Sequence, residues 1–247
     1  AVCALVQAGA LMLFRYQAAW FAVLAGLLLV ALGISWWLHA EFNYGYALWY
    51  DWLDLQAQIA EFGPQNRYIL GFDTISPNAQ QAAFNAIVHA IHHGGLGLTD
   101  IRFTDAYGVT KALLREPEVV HLQDVAALID WLRVALFCVA GFTLAALWLL
   151  RHRINEIQWC WQGGILLAVL VALGGLLAVV GFEAVFYQLH RWIFPAGHEW
   201  FFFYQDSLMS TMMKAPDLFA GIGASLVLFG LMIYMLMLLL LRRAKIK

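Results

Sequence analysis

Four long apolar runs, each nearly free of charge, fix most of what this chain is able to fold into. They span residues 16–38, 131–150, 161–186 and 219–241. Each comes close to the roughly 20 residues that an α-helix needs to cross about 30 Å of hydrocarbon. A chain in lipid has to satisfy its backbone groups internally, which leaves helices as the spanning form for runs of this length. The expected fold is therefore an α-helical integral membrane protein with four transmembrane helices. Composition agrees: 63% of residues are hydrophobic and 12% charged, against roughly 45–50% apolar in an average soluble domain. Those charges are too few to solvate a 247-residue globule, and no basic stretch is long enough to suggest a nucleic-acid partner.

Short basic segments set the expected orientation. Arg15, the Arg151-His152-Arg153 loop and the RRAKIK tail each sit beside a span end, and four spans put all three on one side. The positive-inside rule makes that side cytoplasmic. The expected organisation is a cytoplasmic lead-in at 1–15, a first span at 16–38 and a small extracytoplasmic domain at 39–130. A second span at 131–150, a cytoplasmic loop at 151–160 and a third span at 161–186 follow. An outer loop at 187–218, a fourth span at 219–241 and a cytoplasmic tail at 242–247 complete it. Residues 1–14 are apolar but too short to cross, and no small-residue cleavage site follows them.

The long outer segment reads as a folded domain. Gly63-Pro64, the TISPN stretch at 74–78 and Gly94-Gly95 act as breakers. Between them an amphipathic helix is expected from an Asn78 cap to His93. The aromatic stretch 42–55 is expected to lie against lipid headgroups. Cys3, Cys138 and Cys160 lack metal or disulfide spacing and are expected to be buried bystanders.

Histidine is the informative residue type. His39, His89, His92, His93, His121, His190 and His198 all fall on the expected outer side. In EVVHLQDV, Glu118, His121 and Asp124 recur three apart, so on a helix either carboxylate is within reach of the imidazole. His190 follows the third span, facing the same compartment as His121. Two neutral imidazoles at an apolar boundary are suited to act as an acid–base pair; equally, each suits an interfacial histidine bonded to backbone. HAIHH at 89–93 sets three imidazoles on one helical face, a spacing compatible with zinc, but it lacks the glutamate of HExxH. Ser207 and Ser210 have no turn signature of a nucleophile. The spans hold almost no ionisable residue at mid-depth, which argues against an ion pathway.

At two motifs the chain resembles the bacterial lipoprotein intramolecular transacylase family, Lit. One is E-x-x-H-L-x-D-V, carried by Glu118, His121, Leu122, Asp124 and Val125. The other is F-x-x-x-H-x-x-x-F, carried by Phe186, His190 and Phe194, continuing through Trp200, Ser207-Leu208 and Pro216 to Phe219. The resemblance implies an acyltransferase acting on a diacylglyceryl-modified bacterial lipoprotein among membrane phospholipid. It would move the sn-2 acyl chain to the α-amine of the N-terminal cysteine, giving the lyso form. It also implies a multi-pass place in the bacterial cytoplasmic (inner) membrane with the active site on the extracytoplasmic side. No cofactor and no metal enter that chemistry. The implied catalytic residues are His190 toward the amine and His121 toward the ester oxygen, or the reverse, with Glu118 or Asp124 steadying His121. The alternatives are a metal-dependent membrane hydrolase built on the HAIHH cluster and a non-enzymatic lipid-binding membrane subunit.

Overall fold

The computed structural model describes residues 2–244, and side chains from 15 to 243. Expectations for the Cys3 side chain and for Lys245 and Lys247 of the tail lie outside the described residues. The helices and strands run in chain order as α1 (Val2–Glu41), α2 (Tyr46–Trp52), α3 (Leu55–Phe62), α4 (Pro77–His92), β1 (Arg102–Thr104) and β2 (Thr110–Ala112). After these come α5 (Glu116–Leu150), α6 (Trp159–Val180), α7 (Phe182–Ile193), α8 (Leu208–Met213) and α9 (Asp217–Ala244). Four of these, within α1, α5, α6 and α9, are long and apolar enough to cross a membrane. The chain is a multi-pass membrane protein.

The chain divides into two compact units. The first comprises residues 1–37, 134–179 and 226–247. Trp20, Leu24 and Ala31 of α1 pack with Leu166 of α6 and Tyr234 of α9. Small residues let the helices approach closely: a side chain at Gly26 would collide with Thr143, and one at Gly33 with Leu136. Polar bonds join the helices as well. Ser35 Oγ donates to the Leu226 carbonyl at 2.8 Å, and buried Gln162 donates to Gln17 Oε1 at 2.9 Å. Phe137, Phe142 and Trp148 on α5 and Leu167, Val171 and Leu173 on α6 stay exposed, the condition of faces that lipid covers. Cys138 and Cys160 are exposed on these same apolar helices, not buried by protein as expected.

The second unit comprises residues 38–133 and 180–225, so the folded body is larger than the 39–130 domain expected from sequence. Residues 187–218 belong to its fabric. The Tyr46 hydroxyl donates to the Met212 carbonyl at 2.8 Å, Lys214 Nζ donates to the Leu53 carbonyl at 2.9 Å, and the Arg67 amide donates to the Gln205 carbonyl at 2.8 Å. The apolar core gathers Tyr46, Ile59, Phe84, Ile87, Leu113 and Met212, with the Tyr46 and Phe84 rings stacked 3.8 Å apart. Tyr46, Tyr50 and Leu55 thus serve this core, while Phe42, Leu48 and Trp52 of the same aromatic stretch are exposed.

Two local expectations shift by a few residues, and one element was not expected at all. Helix α4 is capped by Ser76, whose side chain accepts from the Ala79 amide, and Pro77 opens the first turn in place of an Asn78 cap. The 102–112 segment forms an antiparallel hairpin pairing Arg102 with Ala112, its turn closed by Asp105, which accepts from the Tyr107 and Val109 amides. The third apolar helix ends at Val180, not at 186. Gly181 takes φ 86°, ψ 142°, a conformation closed to other residues, and the amphipathic α7 starts afresh at Phe182.

Candidate active site

Helix α5 is about 52 Å long at 1.5 Å per residue, well beyond the ~30 Å of a hydrocarbon core. Its residues up to Arg133 belong to the second unit. The helix starts where it does because Glu118 reaches back, accepting from the Arg115 amide at 2.7 Å, half of a capping box. The other carboxylate oxygen accepts from Ser207 Oγ at 2.5 Å. Ser207 in turn caps α8, accepting from the Ser210 amide at 2.9 Å. Both residues are fully buried. Burial pushes the Glu118 carboxyl up, and the bonds from Ser207 and Arg115 oppose it. One carboxylate therefore fixes two helix starts from segments 89 residues apart.

One turn further on, His121 is 7% exposed and its Nδ1 is buried without a partner. His190, on α7, brings its ring centroid to 6.2 Å from that of His121. Its Nδ1 lies 2.7 Å from the Phe186 carbonyl. A carbonyl only accepts, so Nδ1 carries the proton and the Nε2 lone pair of the neutral ring stays available. Phe194 meets His121 edge-on at 4.8 Å and Phe202 lies at 6.2 Å. Phe186 and Trp200 flank His190 at 4.1 and 5.3 Å. The pair sits inside an aromatic box.

That box keeps both imidazoles neutral. Burial drives the His121 pKa down to about 4, the proximity of His190 pushes the same way, and Asp124 opposes. Burial also lowers His190, with the bond to the Phe186 carbonyl pulling back. Such an arrangement is able to accept a proton at His190 Nε2, donate a hydrogen bond from His121 and exclude water from whatever lies between.

The structure brings His121 and His190 together, while the expected carboxylate partners of His121 bond elsewhere. Neither Glu118 nor Asp124 hydrogen-bonds to His121. Glu118 is committed to Ser207 and Arg115, while Asp124 Oδ2 lies 2.6 Å from His198 Nδ1. The HAIHH cluster stays apart. His89 and His93 stack at 4.1 Å, His93 Nδ1 contacts the His89 carbonyl at 2.7 Å, and His92 Nε2 bonds with the Tyr44 hydroxyl at 2.8 Å. Among the described residues no group of three or more His, Cys, Asp or Glu is arranged to hold a metal. Sequence reasoning missed the Glu118–Ser207 bond, the His198–Asp124 contact and the walls made by Phe194 and Phe202. Phe194 and Ser207 both stand in the motif around His190, but the motif carries no sign of what they touch.

The sequence model of the family described as lipoprotein intramolecular transacylase Lit matches residues 96–215. No curated protein matches the chain. Two solved structures resemble it closely in fold, both described as the membrane integral lipoprotein intramolecular transacylase Lit from Bacillus cereus, in meso. The one carrying a histidine-to-alanine mutation gives a TM-score of 0.64 at 14% identity, covering 97% of this chain and 96% of that one. The one with histidine-to-arginine gives 0.61 at 15%, covering 94% and 93%.

Proposed function

From the Lit family region that this chain carries over residues 96–215, we propose that it is a lipoprotein intramolecular transacylase. The substrate is a lipoprotein whose N-terminal cysteine bears a thioether-linked diacylglyceryl group, and the sn-2 acyl chain moves to the cysteine α-amine. The observation that carries this reading is the His121–His190 pair, 6.2 Å between ring centroids inside an aromatic box.

The α-amine, neutral after losing one proton to solvent, attacks the sn-2 ester carbonyl carbon. A C–N bond forms and the carbonyl oxygen becomes an oxyanion. His190 Nε2 takes one of the two N–H protons. His121, held neutral by burial, donates a hydrogen bond to the ester oxygen where charge develops. The C–O bond to glycerol then breaks, and the proton on His190 passes to the departing sn-2 oxygen. The product is an N-acylated, S-monoacylglyceryl cysteine, with one proton left on the amide nitrogen. Amine and ester belong to one molecule, so correct folding of the substrate alone supplies roughly 7–11 kcal/mol of the barrier. No serine or cysteine nucleophile is required, and Ser207 is already committed to Glu118. Glu118 acts as a positioning residue, since it fixes the start of α5 one turn before His121.

The second unit stands on the extracytoplasmic side of the bacterial cytoplasmic membrane. This rests on the basic residues Arg15, Arg151, Arg153, Arg242 and Arg243, all in the first unit and all on one side of a four-span chain. Expression in a bacterium lacking lipoprotein N-acyltransferases, with tandem mass spectra of one abundant lipopeptide, tests the proposal. An acyl chain on the α-amine and one left on glycerol is expected. Unchanged diacylglyceryl-cysteine, with the protein present in the membrane, overturns it.

A further inference from the structure

His121 is flanked by two carboxylates at the same helical spacing, and they meet opposite fates. Glu118 is fully buried with both oxygens occupied by Ser207 and Arg115. Asp124 is 22% exposed and its Oδ2 meets a side chain from a loop, His198, itself 42% exposed. The loop carrying His198 is a short turn closed by the His198 amide on the Pro195 carbonyl at 3.0 Å. Of the two, Asp124 is the carboxylate that an incoming group is able to reach.

The proposed reaction brings in a group that needs one. An α-amine with a pKa of about 7.7–8.0 arrives at neutral pH mostly as a cation. The walls around His121 and His190 are Phe186, Phe194, Trp200 and Phe202, and the two imidazoles are neutral. A cation entering such surroundings loses hydration at high cost unless an anion stands within reach. Asp124 stands one turn from His121 on the same face of α5.

Resting on the transacylase reading, we propose that Asp124 is the binding residue for the α-ammonium group of the substrate cysteine, and that His198 occupies this carboxylate until the substrate displaces it. The 2.6 Å His198–Asp124 contact is then the empty-site stand-in for the ammonium. The ammonium is set down beside the His121–His190 pair before it loses its first proton, and His198 leaves with its loop as the lipopeptide enters.

The test uses purified full-length protein and a synthetic S-dialkylglyceryl-cysteinyl peptide, ether-linked so that no chain transfers. A des-amino analogue, with hydrogen in place of the α-amino group, is the comparison. Wild type is expected to bind the amine form about tenfold more tightly than the des-amino form, the scale of a partly desolvated charge pair. Asp124→Asn is expected to erase that preference while leaving the affinity for the des-amino form unchanged. His198→Ala is expected to tighten binding of the amine form alone, because a competitor is gone. Equal weakening of both forms by Asp124→Asn, or loss of the preference in His198→Ala, overturns the proposal. The ester-linked peptide is assayed in parallel with wild type. Absence of N-acyl product there overturns the transacylase reading itself, a different result from a missing amine preference.

Discussion

Two groups of histidines in the second unit share a residue type and little else. His89, His92 and His93 are neighbours in sequence at ideal helical spacing, yet their rings stack on one another or bond to a backbone carbonyl and to Tyr44. His121 and His190 are far apart in sequence, on α5 and α7, yet their rings meet in an aromatic box. The first group is set by one helix, which stacks His89 on His93, and His93 Nδ1 and His92 Nε2 have partners outside any acid–base pair. The second exists only through tertiary folding, and it leaves His121 Nδ1 without a partner and His190 Nε2 with its lone pair. Spacing along a helix says which side chains are close. Reactivity depends on which polar atoms the fold leaves unspent inside an apolar wall.

The sharpest way to break this contrast is to remove each group in turn. His190→Ala and His121→Ala are each expected to lower transacylation by 10²–10⁴-fold, on the order of a positioned proton-transfer group. The triple variant of His89, His92 and His93 to Ala is expected to keep activity within about tenfold, the change coming from altered stability. Single-turnover rates with a diacylglyceryl lipopeptide, read by mass spectrometry, decide between them. Loss of activity in the triple variant alone would reverse the assignment and favour the metal-hydrolase alternative.

What was legible from sequence divides along the same line. Four apolar runs announced the crossing helices because lipid demands length and lack of charge, both of which a linear string displays. His121 and His190 were nameable because each lies just outside such a run. The partners of Glu118 and Asp124 were not. Helical spacing placed both carboxylates near His121, but Ser207 and His198 compete for them from a segment that no periodicity links to α5. The early end of the third crossing helix turned on the single residue Gly181, which hydropathy does not distinguish from its apolar neighbours. The hairpin at 102–112 escaped because its strands are three residues each, too short to show alternation.

Acid gives the next largest effect. His121 has a folded pKa of about 4 against about 6.5 in an unfolded chain. Between those values the unfolded state binds more protons, so stability is fully present above pH 6.5 and falls as pH drops toward 4, by about 3 kcal/mol for this group. His121→Asn is expected to flatten the Tm–pH curve across that window. Parallel curves for wild type and His121→Asn would mean that the imidazole is not held neutral.

The Glu118–Ser207 bond comes third. Ser207→Ala removes a helix cap and leaves a buried carboxylate oxygen unpaired, a loss of about 2 kcal/mol. Glu118→Gln keeps an acceptor for Ser207 and is expected to cost less. If Glu118 positions α5, Ser207→Ala should lower kcat with little change in KM, a split that general destabilisation would not give.

The smallest effect belongs to His92, and it sharpens the comparison from the local side. Asn43 and Tyr44 both sit at positive φ, 52° and 53°, a conformation that costs a non-glycine residue about 1 kcal/mol or more. The Tyr44 hydroxyl bond to His92 helps to hold that turn against α4, and the His92 carbonyl also receives Arg133 Nη2 at 3.1 Å. His92→Leu deletes the side-chain bond and keeps the carbonyl, so about 1 kcal/mol of stability is expected to go. Tyr44→Phe removes the other half of the same bond. The double variant should then lose little more than either single one, because each deletes one shared interaction. Additive losses in thermal unfolding would show that the ring of His92 serves something other than this turn.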